Sequence, residues 1–129
     1  MSIEGFPITL RLTTSAQYQA VFDHSDYRVT SGPFLLLARH NHLNFPRLGL
    51  IVSKKNISLA VQRNRIKRLL REFYRRQKKD VRGLDIIIMV RGGVDGFDTQ
   101  AVLRRLLSLW EKLMAEIPDS ASAEVEILK

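Results

Sequence analysis

Hydrolysis by acid–base or metal chemistry needs carboxylates or imidazoles that converge on one point. This chain has 13 acidic residues and three histidines in 129 positions, and they are scattered. Asp23 and Asp26 fall in a helix-exit loop, Asp80 and Asp85 around a turn, and Asp95 and Asp98 around another. None shares a predicted helix or strand face with a second acid. His40 and His42 stand at i, i+2, a spacing open to a metal, but no neighbouring carboxylate or cysteine completes a ligand set. A solvated loop is the better reading of that pair. The chain has no cysteine, so disulfides and thiolate metal sites are excluded. The expectation is a protein with no catalytic residue and no metal ligand set of its own.

What the chain does carry is cationic chemistry. Residues 54–79 hold eleven Lys and Arg against the single acid Glu72, a net +10 where the whole chain has +8. The rest of the chain is therefore slightly acidic, and the basicity is local. A polyanion surface has this signature, because each phosphate neutralised by Lys or Arg releases condensed counterions. Ile66, Leu69, Leu70 and Phe73 stand at i, i+3, i+4 and i+7, the apolar stripe of an amphipathic helix. Leu59 extends that stripe backwards, and Ser58 or Asn56 offers an N-cap. At about 100° per residue, Asn64, Arg68, Arg71 and Arg75 lie opposite the stripe, with Arg63, Arg65, Lys67 and Arg76 on its flanks. Arg suits phosphates and base edges because its planar fork donates in pairs.

A run of charge is often only a solvated helix face. A helix built for stability alone would interleave acids as i, i+4 pairs. This one tolerates self-repulsion, which points to an anionic partner.

The elements that must position these groups follow from pattern. Residues 1–13 read as an extended lead-in, with Pro7 opposing helix. Thr14 and Gln17 have capping-box spacing, and Tyr18, Val21 and Phe22 give a short helix over 15–24. Aromatics at such spacing more often pack a core than stack on a ligand. Residues 31–33 are turn chemistry, 34–38 an uninterrupted apolar strand, and 39–46 a polar connection. A strand over 48–52 leads into Lys54 and Lys55, the basic helix spans 59–79, and 84–90 is the strongest strand of the chain. Asp98 caps a last helix carrying Val102, Leu106, Leu109, Trp110 and Leu113, which Pro118 ends. The expected architecture is an α/β (α+β) two-layer sandwich, a small mixed sheet with a βαβ crossover carrying the basic helix between flanking terminal helices. Residues 1–117 form a single domain in this reading, and 118–129 a disordered tail. No apolar run approaches 18 residues and no signal peptide is visible, so a cytoplasmic protein fits.

The string Arg63-Asn64-Arg65-Ile66-Lys67-Arg68, with Val52-Ser53-Lys54-Lys55 before it and Arg71-Glu72 after it, resembles the RNR signature of the bacterial ribonuclease P protein subunit. Arg11-Leu12, the Tyr18/Phe22 helix, Pro46-Arg47-Leu48-Gly49-Leu50 and Asp85-Ile86-Ile87-Ile88 also fall where that family has counterparts. Many members place a Gly between the Lys pair and the helix, where this chain reads Asn56-Ile57-Ser58-Leu59.

The resemblance implies a protein that binds the catalytic RNA subunit, one to one, through Lys54, Lys55, Arg63, Asn64, Arg65, Lys67, Arg68, Arg71 and Arg75. It implies a cleft for the single-stranded 5′ leader of precursor tRNA, lined by Arg11, Tyr18, Phe22 and Phe34. Hydrolysis would belong to the RNA, with Mg2+ required by the holoenzyme and none bound by the protein alone, and no obligate protein partner or membrane is implied. Crossovers of this kind are right-handed in about 98% of cases; the family implies a left-handed one. A ribosomal or general RNA-binding protein would show the same helix without needing the aromatic cleft. A DNA-groove module is disfavoured because the helix sits inside a βαβ unit.

Overall fold

The sheet is built around its most apolar segment. In the computed structural model, which describes residues 11–43, 45–55, 57–77, 81, 83–91 and 98–117, Leu84–Val90 forms a central strand whose Ile86, Ile87 and Ile88 are fully buried. The elements run α1 (Ser15–Asp23), β1 (Tyr27–Ser31), β2 (Phe34–His40), β3 (Arg47–Val52), α2 (Ala60–Gln77), β4 (Leu84–Val90) and α3 (Thr99–Glu116). The strand order is β1-β2-β4-β3. β1 pairs antiparallel with β2 and β2 with β4, while β3 joins β4 in parallel through α2. That is the expected mixed sheet and βαβ unit.

Helices cover both faces. Phe34, Leu36 and Ala38 of β2, with Ile86 and Ile88, pack against Ile66, Leu70, Phe73 and Tyr74 of α2 and Leu106, Leu109 and Trp110 of α3. Leu35, Leu37 and Ile87 point the other way, onto Leu12 and Val21, with Tyr18 half-buried beside them. The unbroken apolarity of β2 thus reflects two covered faces. The principal sandwich is sheet against α2 and α3, and α1 lies across β2 and β4 on the reverse.

β1 was not expected. Only Val29 and Ser31 of its five residues are buried, so its pattern is too thin to read as a strand. It pairs because Gly32, at φ 59, and Pro33 form a two-residue turn that aligns Ser31 with Phe34. α3 then covers it, and the Lys112 ammonium donates to the Thr30 carbonyl at 2.6 Å.

Other boundaries follow local chemistry. Thr14 caps α1 as its spacing predicts: the Gln17 amide donates to Thr14 Oγ1 at 3.1 Å, and the Thr14 amide to Gln17 Oε1 at 3.2 Å. α2 begins one residue later than the stripe suggested. Leu59 is 59% exposed and contributes only its carbonyl, which accepts the first helical bond from Arg63 at 3.0 Å. Asn56, Lys78, Lys79 and the tail 118–129 lie outside the described residues.

Candidate nucleic-acid interface

β3 is an edge strand, and its free side is where the cationic groups gather. Arg11 pairs with Leu48 in a parallel bridge, and the Leu12 amide donates to the Leu48 carbonyl at 3.0 Å. This lays the N-terminal segment along the outside of β3. A cleft of about 330 Å³ opens between that segment and α2, lined by Arg11, Thr13, Tyr18, Lys67 and Arg71 over Leu12, Leu48 and Leu50. No carboxylate is in the lining. Tyr18 reaches it because Gly49 has no side chain: a Cβ there would stand 2.7 Å from the tyrosine ring. The Arg71 guanidinium has its pKa lowered, first by burial and then by repulsion from Arg11. Two arginines held together with no acid in the cleft lining make a receptor for an anion.

The cations of α2 do not all share this cleft. Arg65 and Arg68 open instead into a groove of about 400 Å³ towards α3, with Leu69, Glu72 and Thr99. Arg68 and Arg71, neighbours on the helical wheel, therefore face different spaces. Arg75 is drawn to Glu72 at 2.6 Å, and that bond lowers the carboxyl pKa of Glu72. Asn64 is exposed on the first turns. Arg63 folds back, donating to the carbonyls of Ile57 at 3.0 Å and Ser58 at 2.8 Å. It braces the turn at the entry to α2, and Lys54 and Lys55 are both exposed after β3.

One predicted cleft residue is misplaced. Phe34 is 1% exposed and belongs to the core between the sheet and α2/α3, on the opposite face from Tyr18. The β2 residues that face Tyr18 are Leu35 and Leu37, because side chains alternate along a strand. Phe22 is 39% exposed. Phe22, Lys54 and Lys55 do not line the Arg11–Tyr18 cleft.

Four of the described acids are engaged in structural work. Asp85 is buried and takes a fork of two bonds from Arg47, both 2.8 Å, and a third from Asn41 at 2.8 Å. Asp26 accepts the His40 amide at 2.9 Å, Asp23 accepts from Gln19 at 2.9 Å, and Asp98 caps α3. His24, His40 and His42 share a groove with Asp26 and Arg39, yet no three His, Asp or Glu among the described residues come together as a metal site. Among the described residues no helix is long and apolar enough to cross a membrane.

A mixed-sheet domain that presents a Lys/Arg helix and an acid-free cationic cleft beside an aromatic ring is of the RNA-binding class. The family model described as Ribonuclease P matches residues 6–114. A ribonuclease P protein component from Chromohalobacter salexigens is 44% identical over 117 residues, 91% of each chain. One from Pseudomonas aeruginosa is 42% identical over 112 residues, 87% of this chain and 83% of the other. Among solved structures, the Staphylococcus aureus RNase P protein superposes with a TM-score of 0.74 at 28% identity, covering 81% of this chain and 94% of that one. The Thermotoga maritima RNase P protein gives 0.67 at 30% identity, covering 77% and 93%. The chain belongs to the ribonuclease P protein family, the protein components of a tRNA-processing ribonucleoprotein.

Proposed function

We propose that the chain binds one copy of the ribonuclease P RNA through the outer face of α2 and takes the 5′ leader of precursor tRNA along Tyr18, Phe22 and the Arg11–Lys67–Arg71 cleft. The observation that carries this reading is the cleft itself: three cations without an acid in the lining, with a tyrosine ring laid on Gly49. A single strand needs a cation for its phosphates and a ring for its bases, and stacking tolerates any base sequence. One enzyme that accepts many leaders needs that tolerance. Lys54, Lys55, Arg63, Asn64, Arg65, Lys67, Arg68, Arg71 and Arg75 are the RNA-facing set, with Arg63 acting through the turn it braces. Phe34 is removed from the leader set. The work is cytoplasmic in this reading and needs no second protein.

Mg2+ enters only through the RNA, whose phosphates hold the ions that supply the hydrolytic chemistry. The protein supplies cations that relieve phosphate repulsion, so adding it should lower the Mg2+ concentration at which the RNA cleaves. The isolated protein should not cleave; cleavage by RNA-free protein that survives nuclease controls would overturn the division of labour.

The leader site has its own test. Mature tRNA lacks a leader, so the holoenzyme should bind precursor more tightly than product. Tyr18→Ala with Phe22→Ala should erase much of that preference, by about 1–3 kcal/mol per lost stack, and leave assembly with the RNA nearly intact. Thermal melts establish that the double variant is folded. A folded variant that keeps the wild-type margin would place the leader elsewhere.

A further inference from the structure

Two grooves flank α2, and their chemistry differs. The Arg11–Lys67–Arg71 cleft has no acid in its lining and suits phosphate. The groove towards α3 has Arg65 and Arg68 on its rim, the half-buried Leu69 at its base, Thr99 opposite, and the carboxylate of Glu72 within it. Glu72 is paired with Arg75 at 2.6 Å and Arg76 at 3.5 Å, so what sets this groove apart from the cleft is its apolar Leu69 and its carboxylate acceptor rather than its net charge. A flat heterocycle would meet what it needs: Leu69 and the aliphatic stems of the arginines below, a guanidinium plane to stack on, and an acceptor at its edge. The bond from Arg75 at 2.6 Å keeps Glu72 ionised and therefore an acceptor only.

We infer that this groove receives a single unstacked nucleobase of the ribonuclease P RNA, sandwiched against Arg68 over Leu69, with an amino or ring N–H edge turned to Glu72. The inference deepens the proposed function and rests on α2 being the RNA-subunit face. Unstacked bases in loops and bulges are where proteins read folded RNA, since the deep, narrow major groove of A-form RNA is closed to side chains. α2 then makes two kinds of contact from one helix, leader phosphate on the side of β3 and a base of the RNA subunit on the side of α3. Only the second can fix the register of the protein on its RNA.

The test uses the full-length protein and the RNA subunit, with affinity measured against salt and with base-specific chemical probing of the RNA. Arg68→Lys keeps the charge and loses the plane. It should weaken binding on the order of tenfold with an unchanged salt slope. Leu69→Ala should act in the same direction, and one base protected by the wild type should regain reactivity. Glu72→Gln should shift which base edge is protected while leaving phosphate contacts alone. If Arg68→Lys binds like wild type while Arg68→Ala weakens binding and flattens the salt slope, Arg68 holds a phosphate and the inference fails alone. If Arg68→Ala has no effect, the RNA-subunit face lies elsewhere and the broader proposal fails with it. Repeated with precursor tRNA present, the probing should leave the protected base on the RNA subunit; protection that maps to precursor tRNA instead overturns the assigned source. Leu69 is half-buried, so its variant is read only with a melt that matches wild type; Arg68 is exposed, so its Lys variant carries the test in any case.

Discussion

At the scale of the residue, Gly49 decides where Tyr18 can lie. The glycine is buried in β3, and the ring sits against its main chain. Gly49→Ala places a methyl carbon within 2.7 Å of the ring, so the ring must leave. The substitution changes no charge and suits a strand, since Ala costs less backbone entropy than Gly. The expected outcome is a folded protein, its melting temperature lowered no further than in Tyr18→Ala, whose preference for precursor over mature tRNA falls about as far as in Tyr18→Ala. Equilibrium binding of the two tRNAs to the reconstituted holoenzyme checks it, and unaltered discrimination would detach Tyr18 from the leader. The residue scale is also where sequence reading faltered. Phe34 opens a run, 34–38, that is apolar at every position, and without alternation nothing in the string says which residues face which helix. The approach of Arg11 to Arg71 was equally hidden, because it depends on the N-terminal segment docking on an edge strand.

At the scale of the element, α2 was legible almost whole. Ile66, Leu70 and Phe73 are buried as their period demanded, and Leu69 is half-buried where the helix turns from core to groove. β4, α3 and the Thr14–Gln17 box were readable for the same reason: each has strong local periodicity or capping chemistry. β1 was not, since it gains its place from a turn and from the cover of α3. The cations of α2 can be ranked by what holds them. Arg65→Ala or Arg68→Ala should weaken RNA-subunit binding by about 1–3 kcal/mol. Asn64→Ala should alter affinity without altering its salt dependence, because the side chain is neutral. Arg104, exposed on α3, serves as the control and should matter little. Filter binding across a salt series separates these outcomes; an Arg104→Ala loss equal to that of Arg68→Ala would mean that any surface arginine serves.

At the scale of the whole molecule, the join between α2 and α3 carries a pH sensitivity unrelated to RNA. The Tyr74 hydroxyl is buried, and its ring meets Trp110 of α3 edge-on at 5.9 Å. Burial, and then the charge of Asp85, raises its pKa above the ordinary 10.0. The unfolded chain therefore ionises this phenol first. Its contribution to stability is whole below about pH 10 and is lost as pH rises through the folded value. Tyr74→Phe should flatten the alkaline fall in melting temperature from about pH 10 upward. A residual slope should remain from Tyr27, whose pKa is raised by burial and then by Asp26. Melts across that range check the sign, and an equally steep fall in the variant would assign the sensitivity elsewhere.

The pair Arg47–Asp85 has a further consequence. Parallel strands joined by a long crossover get no help from a tight turn in finding their alignment. Here the two residues that open the β3–β4 pairing, Arg47 opposite Asp85, are also the two that share an ion pair. A slip by one position would set Asp85 against Leu48 and leave a buried carboxylate without its guanidinium, at a cost of about 3–5 kcal/mol. The contact acts as a key that fits at one offset only. Since α2 hangs between these strands, that key also fixes where along the sheet the helix begins and ends.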